Sequence, residues 1–102
     1  MANIVRSHAA DEDLLAIADY GSGKWGIEAA LTFIDAFKNA FALLGRYPDI
    51  GRPRDELGSG VRSWLHRGYV IYYLHIGDDV VIGRILHGAA DPAVRFDPRE
   101  FR

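Results

Sequence analysis

Two apolar runs facing each other across a short turn constrain this chain more than any other feature. Tyr69-Val70-Ile71-Tyr72-Tyr73-Leu74-His75-Ile76 and Val80-Val81-Ile82-Gly83-Arg84-Ile85-Leu86-His87 flank Gly77-Asp78-Asp79. β-Branched and aromatic residues on both sides of a Gly/Asp turn predict a β-hairpin. Inside the second run stands Arg84, with His87 near its end. A guanidinium among Val, Ile and Leu needs a partner or a path to water, because an unpaired buried charge is costly. The hairpin therefore carries either a structural ion pair, with Asp91 or Glu56 as the partner, or a working surface.

The rest of the chain supplies what a hairpin needs to bury its face. Residues 3–7 read as a short first strand. Ser7 is placed to cap a helix whose first turn holds Asp11, Glu12 and Asp13, where carboxylates suit the helix dipole. Ala10, Leu14, Ile17 and Ala18 recur at helical spacing, and Gly21-Ser22-Gly23 is expected to end that helix. Ala30, Phe33, Ile34, Phe37, Phe41 and Leu44 then define a second helix from about Trp25 to Arg46, roughly 30 Å long at 1.5 Å per residue, stopped by Gly45 and Pro48.

Tyr47 to Gly60 reads as a polar loop, and residues 61–66 as a strand with Arg62, Trp64 and His66 on one side. The order is thus β-α-α-β-β-β. It predicts an α+β domain in which an antiparallel helical hairpin packs on one face of a small, mostly antiparallel sheet, with the first strand beside the last ones. The expected core is Leu14, Ile17, Phe33, Ile34, Phe37, Phe41, Ile71 and Ile85. One domain over residues 1–102 accounts for the whole chain, with no internal repeat.

Composition narrows the functional classes. A hydrophobic fraction of 49% with 25% charged residues fits a globular chain. With no cysteine there is neither a disulfide frame nor a thiolate metal site. No apolar run reaches the roughly 20 residues that span a bilayer, and the N-terminus carries no signal-peptide pattern. The net charge of −2 argues against general nucleic-acid binding. Every basic residue after position 49 is an arginine, the side chain whose planar fork suits interface ion pairs.

Chemistry-bearing residues are few. His8, His66, His75 and His87 lack metal-ligand spacing, and Gly21-Ser22-Gly23 follows a helix rather than opening one, so it does not cradle phosphate. One constellation remains: Arg62, His66, Arg84 and His87 on neighbouring strands or their ends. An imidazole beside guanidinium groups suits acid–base attack on a phosphodiester, although no strand carboxylate stands ready as the complementary base. Tyr69, Tyr72 and Tyr73 read as packing aromatics, since the sequence places no basic stripe around them.

Six segments in order carry a resemblance. They are Asp13-Leu14-Leu15-Ala16-Ile17-Ala18-Asp19-Tyr20, Trp25-Gly26, Tyr47-Pro48-Asp49-Ile50-Gly51-Arg52, Gly60-Val61-Arg62, Tyr69-Val70-Ile71-Tyr72-Tyr73 and Arg84-Ile85-Leu86-His87-Gly88. Together, from about residue 3 to residue 91, they resemble ParE within the RelE/ParE superfamily of type II toxins. The resemblance implies a cytoplasmic toxin without cofactor or metal. It implies neutralisation by a ParD-like antitoxin in a toxin–antitoxin hetero-oligomer, with Arg62 and Arg84 as antitoxin contacts. It further implies inhibition of DNA gyrase by binding, without direct nucleic-acid or membrane contact. The target-binding candidates are Arg84, Arg95 and Arg99. The alternatives are a RelE-type ribosome-dependent mRNA endoribonuclease using His87, Arg84 and Arg62, or a degenerate, non-toxic family member. The tail Phe96–Arg102 is not strongly basic and lacks tyrosine, which favours the binding inhibitor. Where ParE-like chains often have an arginine before the aspartate, this one has Ala89-Ala90-Asp91, and Arg95 or Arg99 would substitute.

Overall fold

The computed structural model describes residues 1–95. It contains β1 (Asn3–Arg6), α1 (His8–Trp25), α2 (Ile27–Arg46), β2 (Arg52–Pro53), β3 (Arg62–His66), β4 (Tyr69–Ile76), β5 (Asp79–His87) and α3 (Pro92–Arg95). The strands form one sheet in the order β1-β5-β4-β3-β2. β1 runs parallel to β5 and every other pairing is antiparallel, so the first strand lies beside the last.

Two sequence expectations about the helices shift. Gly21-Ser22-Gly23 does not end α1 but lies within it, and Trp25 closes α1 rather than opening α2. The reason is packing. A Cβ on Gly21 would sit 3.3 Å from the Cβ of Ala30 and 3.2 Å from the Trp25 ring, so this glycine lets α1 and α2 approach closely. The chain reverses instead at Gly26, whose φ of 91° is open to glycine and costly for other residues. Gly45 likewise stays helical, and its carbonyl accepts the backbone N–H of Ala2 at 2.8 Å. The Tyr47–Gly60 loop also holds two elements not foreseen, the short edge strand β2 and a 3₁₀ turn at Asp55–Leu57.

β5 contains a bulge. Tyr72 pairs with Arg84 but Tyr73 pairs with Ile82, leaving Gly83 as an extra residue. The bulge resets the alternation. Val80 and Ile82 before it, and Ile85 after it, all join the core formed with Ala10, Ile17, Phe37, Phe41 and Leu44. Val81 and Leu86 join Tyr72, Leu57 and Val61 in a smaller cluster on the other face. Of the expected core, Ile17, Phe37, Phe41, Ile71 and Ile85 are buried, while Leu14, Phe33 and Ile34 are only partly so. Those three pack against the core from its margin and also line surface concavities.

Candidate functional site

Arg84 is part of a structural ion pair, with a partner other than Asp91 or Glu56. β1 covers β5 only as far as Ile82. Ser7 then turns the chain into α1: its N–H donates to the Ile82 carbonyl at 2.9 Å and its hydroxyl to the Gly83 carbonyl at 2.7 Å. The same Oγ accepts from the Ala10 N–H at 3.0 Å, capping the helix. Asp13, two turns into α1, takes over the uncovered edge. Its Oδ2 accepts from the Ile85 N–H and from Arg84 Nε, both at 2.8 Å, and its Oδ1 accepts from Arg84 Nη2 at 3.0 Å. This is a bidentate arginine–carboxylate fork with side chains only 16% and 14% exposed. Glu56 instead pairs with Arg54 at 2.9 Å, and Asp91 accepts from the Ala93 N–H. Asp13 could have been found: it lies on the stripe of Ala10, Leu14 and Ile17, and an acid on a buried stripe asks for a cation.

Arg62 holds a loop. Its Nη1 donates to the carbonyls of Gly51 at 2.7 Å and Asp49 at 3.1 Å. The buried Tyr73 hydroxyl finishes the same clamp, accepting from the Gly51 N–H at 2.9 Å and donating to the Pro48 carbonyl at 2.8 Å. Burial pushes the Tyr73 phenol up from its ordinary range. A Cβ on Gly51 would lie 2.8 Å from the Tyr73 ring, so only glycine fits there.

The two histidines meet across Tyr69, which pairs with His66 on one side and His87 on the other. The His66 ring packs on Phe37 at 4.7 Å, and its Nε2 is buried without a hydrogen-bond partner among the described residues. Burial, and then the Arg67 charge, hold the His66 imidazole below its usual pKa. His87 stacks edge-on to Tyr69 at 5.6 Å and accepts the Ala89 N–H on Nδ1. The four-residue constellation therefore does not converge. Arg62 stands four residues along β3 from His66, about 13 Å at strand spacing, and Arg84 is bound to Asp13. Arg95 ends α3, and Arg99 lies outside the described residues.

A concavity that local sequence pattern did not reveal lies between the helices. This groove between α1 and α2, of about 450 Å³, is lined by Leu14, Leu15, Ala18, Leu31, Ile34 and Phe41 among others, with Arg6, Asp11 and Lys38 also at its walls. Leu15 is 71% exposed and Leu31 55%. Both leucines border this groove.

Residues 4–92 match the family described as ParE toxin of type II toxin–antitoxin system, parDE. The chain belongs to the ParE toxin family. It is 30% identical over 81 residues to Toxin ParE1 of Caulobacter vibrioides, covering 79% of this chain and 83% of that one. Toxin ParE3 of the same organism is 27% identical over 95 residues, 93% of this chain and 95% of its own length. A solved structure, the chromosomal ParDE TA system from P. aeruginosa, superposes with a TM-score of 0.74 at 26% identity, over 85% of this chain and 96% of that one. In this ParE-family member the Asp13–Arg84 fork lies inside the matched region. No described helix is long and apolar enough to cross a membrane.

Proposed function

We propose that this ParE-family toxin is held inactive by a ParD-like antitoxin whose terminal segment occupies the α1–α2 groove, and that the released toxin inhibits DNA gyrase by binding. The groove is the observation that carries the reading. An amphipathic helix laid into an apolar groove buries the leucines that the isolated toxin exposes. A tail that is disordered when alone bears an ordering cost on docking and offsets it by covering a large surface. Arg62, at the far end of the sheet, is a second contact for an acidic continuation of that tail, and Arg84 serves the same surface by fixing β5 to α1. The likeness to a structure titled as a ParDE system supports the choice of partner.

Binding rather than catalysis is favoured by the spacing of Arg62, Arg84 and His87, which leaves no single point where the three could act on one phosphodiester. Arg95 and Arg99 remain the target contacts proposed for gyrase.

Two measurements test this. Calorimetry with a cognate antitoxin tail should give tight binding that weakens by about a hundredfold or more when Leu15 and Leu31 are both changed to Asp, since each loses roughly 1.5–3 kcal/mol of apolar burial. Unchanged affinity would move the antitoxin elsewhere. A supercoiling assay with purified gyrase, run beside mRNA cleavage on translating ribosomes, should show inhibited supercoiling and intact RNA. Cleaved RNA that is lost on His87→Ala, with gyrase unaffected, would replace the binding inhibitor with an endoribonuclease.

A further inference from the structure

We infer that the far end of the helical hairpin holds a binding site for a nucleoside monophosphate, separate from the antitoxin groove. Its walls come from three parts of the chain: Tyr20, Lys24 and Trp25 at the end of α1, Phe33 on α2, and Arg67, Gly68, Tyr69 and His87 from the β3–β4 turn and the end of β5. The cavity is about 510 Å³, within the range of small-molecule sites. It shares no lining residue with the α1–α2 groove.

Two properties of the lining select the ligand. The first is a continuous run of rings. Trp25 lies 5.5 Å from Phe33, Phe33 lies 6.0 Å from Tyr69, and Tyr69 lies 5.6 Å from His87. Trp25 is 48% exposed and Tyr20 60%, so both offer surface to a planar guest. The second is charge. Among the described residues the ionisable groups that line this cavity are Lys24, Arg67, His87 and the two tyrosines, with no carboxylate beside them. A metal ion is therefore disfavoured and an anion favoured. His87 fits that role, because its Nδ1 accepts the Ala89 N–H and the proton of the neutral ring must then sit on Nε2 as a donor. Lys24, which donates to the Tyr20 hydroxyl at 3.3 Å, and Arg67 add the cations. Stacking faces beside three donors are what a base joined to a phosphate requires.

Arg67 supplies an independent observation. It and Gly68 form the two-residue link between β3 and β4, with φ of 49° and 84°. Primed turns of that kind prefer Asn-Gly, because both residues need positive φ. Arg67 is the only non-glycine residue with positive φ among the described residues. Strain of this sort concentrates at ligand sites, and here the residue that carries it lines the aromatic cavity. The tyrosines read from sequence as packing aromatics without a basic stripe thus separate. Tyr73 is buried, Tyr72 faces the smaller cluster with the Arg54 guanidinium 5.7 Å from its ring, and Tyr69 lines the cavity that also holds Lys24 and Arg67.

The test is a titration of the intact chain, followed by heteronuclear NMR and calorimetry, with AMP, GMP, CMP and UMP, and with adenosine and inorganic phosphate as half-ligands. A nucleotide should bind with a sub-millimolar Kd and shift the Trp25 indole and Tyr69 signals. Adenosine and phosphate alone should each bind about tenfold more weakly, the loss expected for a charge-assisted hydrogen bond or a stacked base. Arg67→Asn is the decisive variant. Asparagine suits the turn, so the Tm should hold or rise while nucleotide affinity falls about tenfold. A short single strand with a terminal phosphate separates the two sources of this chemistry: tighter binding than the mononucleotide assigns the site to strand ends, and equal binding to free nucleotides. No binding of any nucleotide at millimolar concentration overturns the site. So does binding that neither Arg67→Asn nor Trp25→Leu weakens.

Discussion

The two sides of the sheet end in the same way and are finished differently. On one side β1 covers β5 only from Asp79 to Ile82; on the other β2 covers β3 only at Arg62 and Ser63. Each short strand leaves a stretch of its neighbour uncovered. Beyond β1, α1 completes the edge: Asp13 takes the Ile85 N–H that a longer strand would have taken, and holds Arg84 as well. Beyond β2 no described strand follows, and Ser63, Trp64 and Leu65 border a shallow cavity with Ile50, Arg52 and Arg54. Leu65 is 68% exposed there. An edge closed by a buried ion pair is tied into the fold, whereas an uncovered edge with an exposed leucine is available for pairing.

The largest loss is expected at the closed edge. Asp13→Ala leaves the Ile85 N–H and the Arg84 guanidinium without their shared acceptor, and should cost about 3 kcal/mol in urea unfolding, as expected for breaking one side of a buried pair. That corresponds to a fall in Tm of more than about 10 °C for a domain this size. A loss comparable to that of an exposed carboxylate would remove the distinction between the two edges.

The next effect belongs to the clamp that holds the loop leading into β2. Tyr73→Phe deletes the hydroxyl that takes the Gly51 N–H and donates to Pro48, and should cost about 1–2 kcal/mol. Faster hydrogen exchange at Gly51, with little change at Ile85, would show that the two edges are pinned independently.

His66 gives a smaller, pH-dependent effect on the uncovered side. Its pKa in the fold is lowered, first by burial and then by Arg67. Between that lowered value and the ordinary value of about 6.5 the unfolded chain binds the extra proton. This contribution is therefore complete above about pH 6.5 and is lost as pH falls through that window. His66→Gln should flatten this part of the stability profile in denaturant titrations at several pH values. An unchanged profile would exclude burial of the imidazole.

The smallest effect is expected at Leu65. Leu65→Lys should change stability by no more than about 0.5 kcal/mol, while reducing any self-association seen by sedimentation, because a charge blunts an uncovered edge. A large destabilisation would mean that this edge is built into the fold as firmly as the other.

Local pattern was enough for the hairpin at Tyr69–His87, the apolar stripe of α2, the Ser7 cap and the family resemblance. In the first three, the residues that decide the structure are within a few positions of one another, so turn chemistry and periodicity reveal them; the resemblance rests on six local segments read in order. The tertiary structure alone decided the rest, because distant packing outweighs local preference. Gly21-Ser22-Gly23 has the composition of a turn, yet stays helical because Gly21 lies against Ala30. A glycine inside a strand run hints at a bulge, yet only the pairing with β4 shows that Gly83 is the extra residue, and this sets which residues of β5 meet the helices. Arg84 announced in sequence that it needed a partner. Which one was settled only when β1 stopped short and brought Asp13, from 71 positions away, against the uncovered N–H of Ile85.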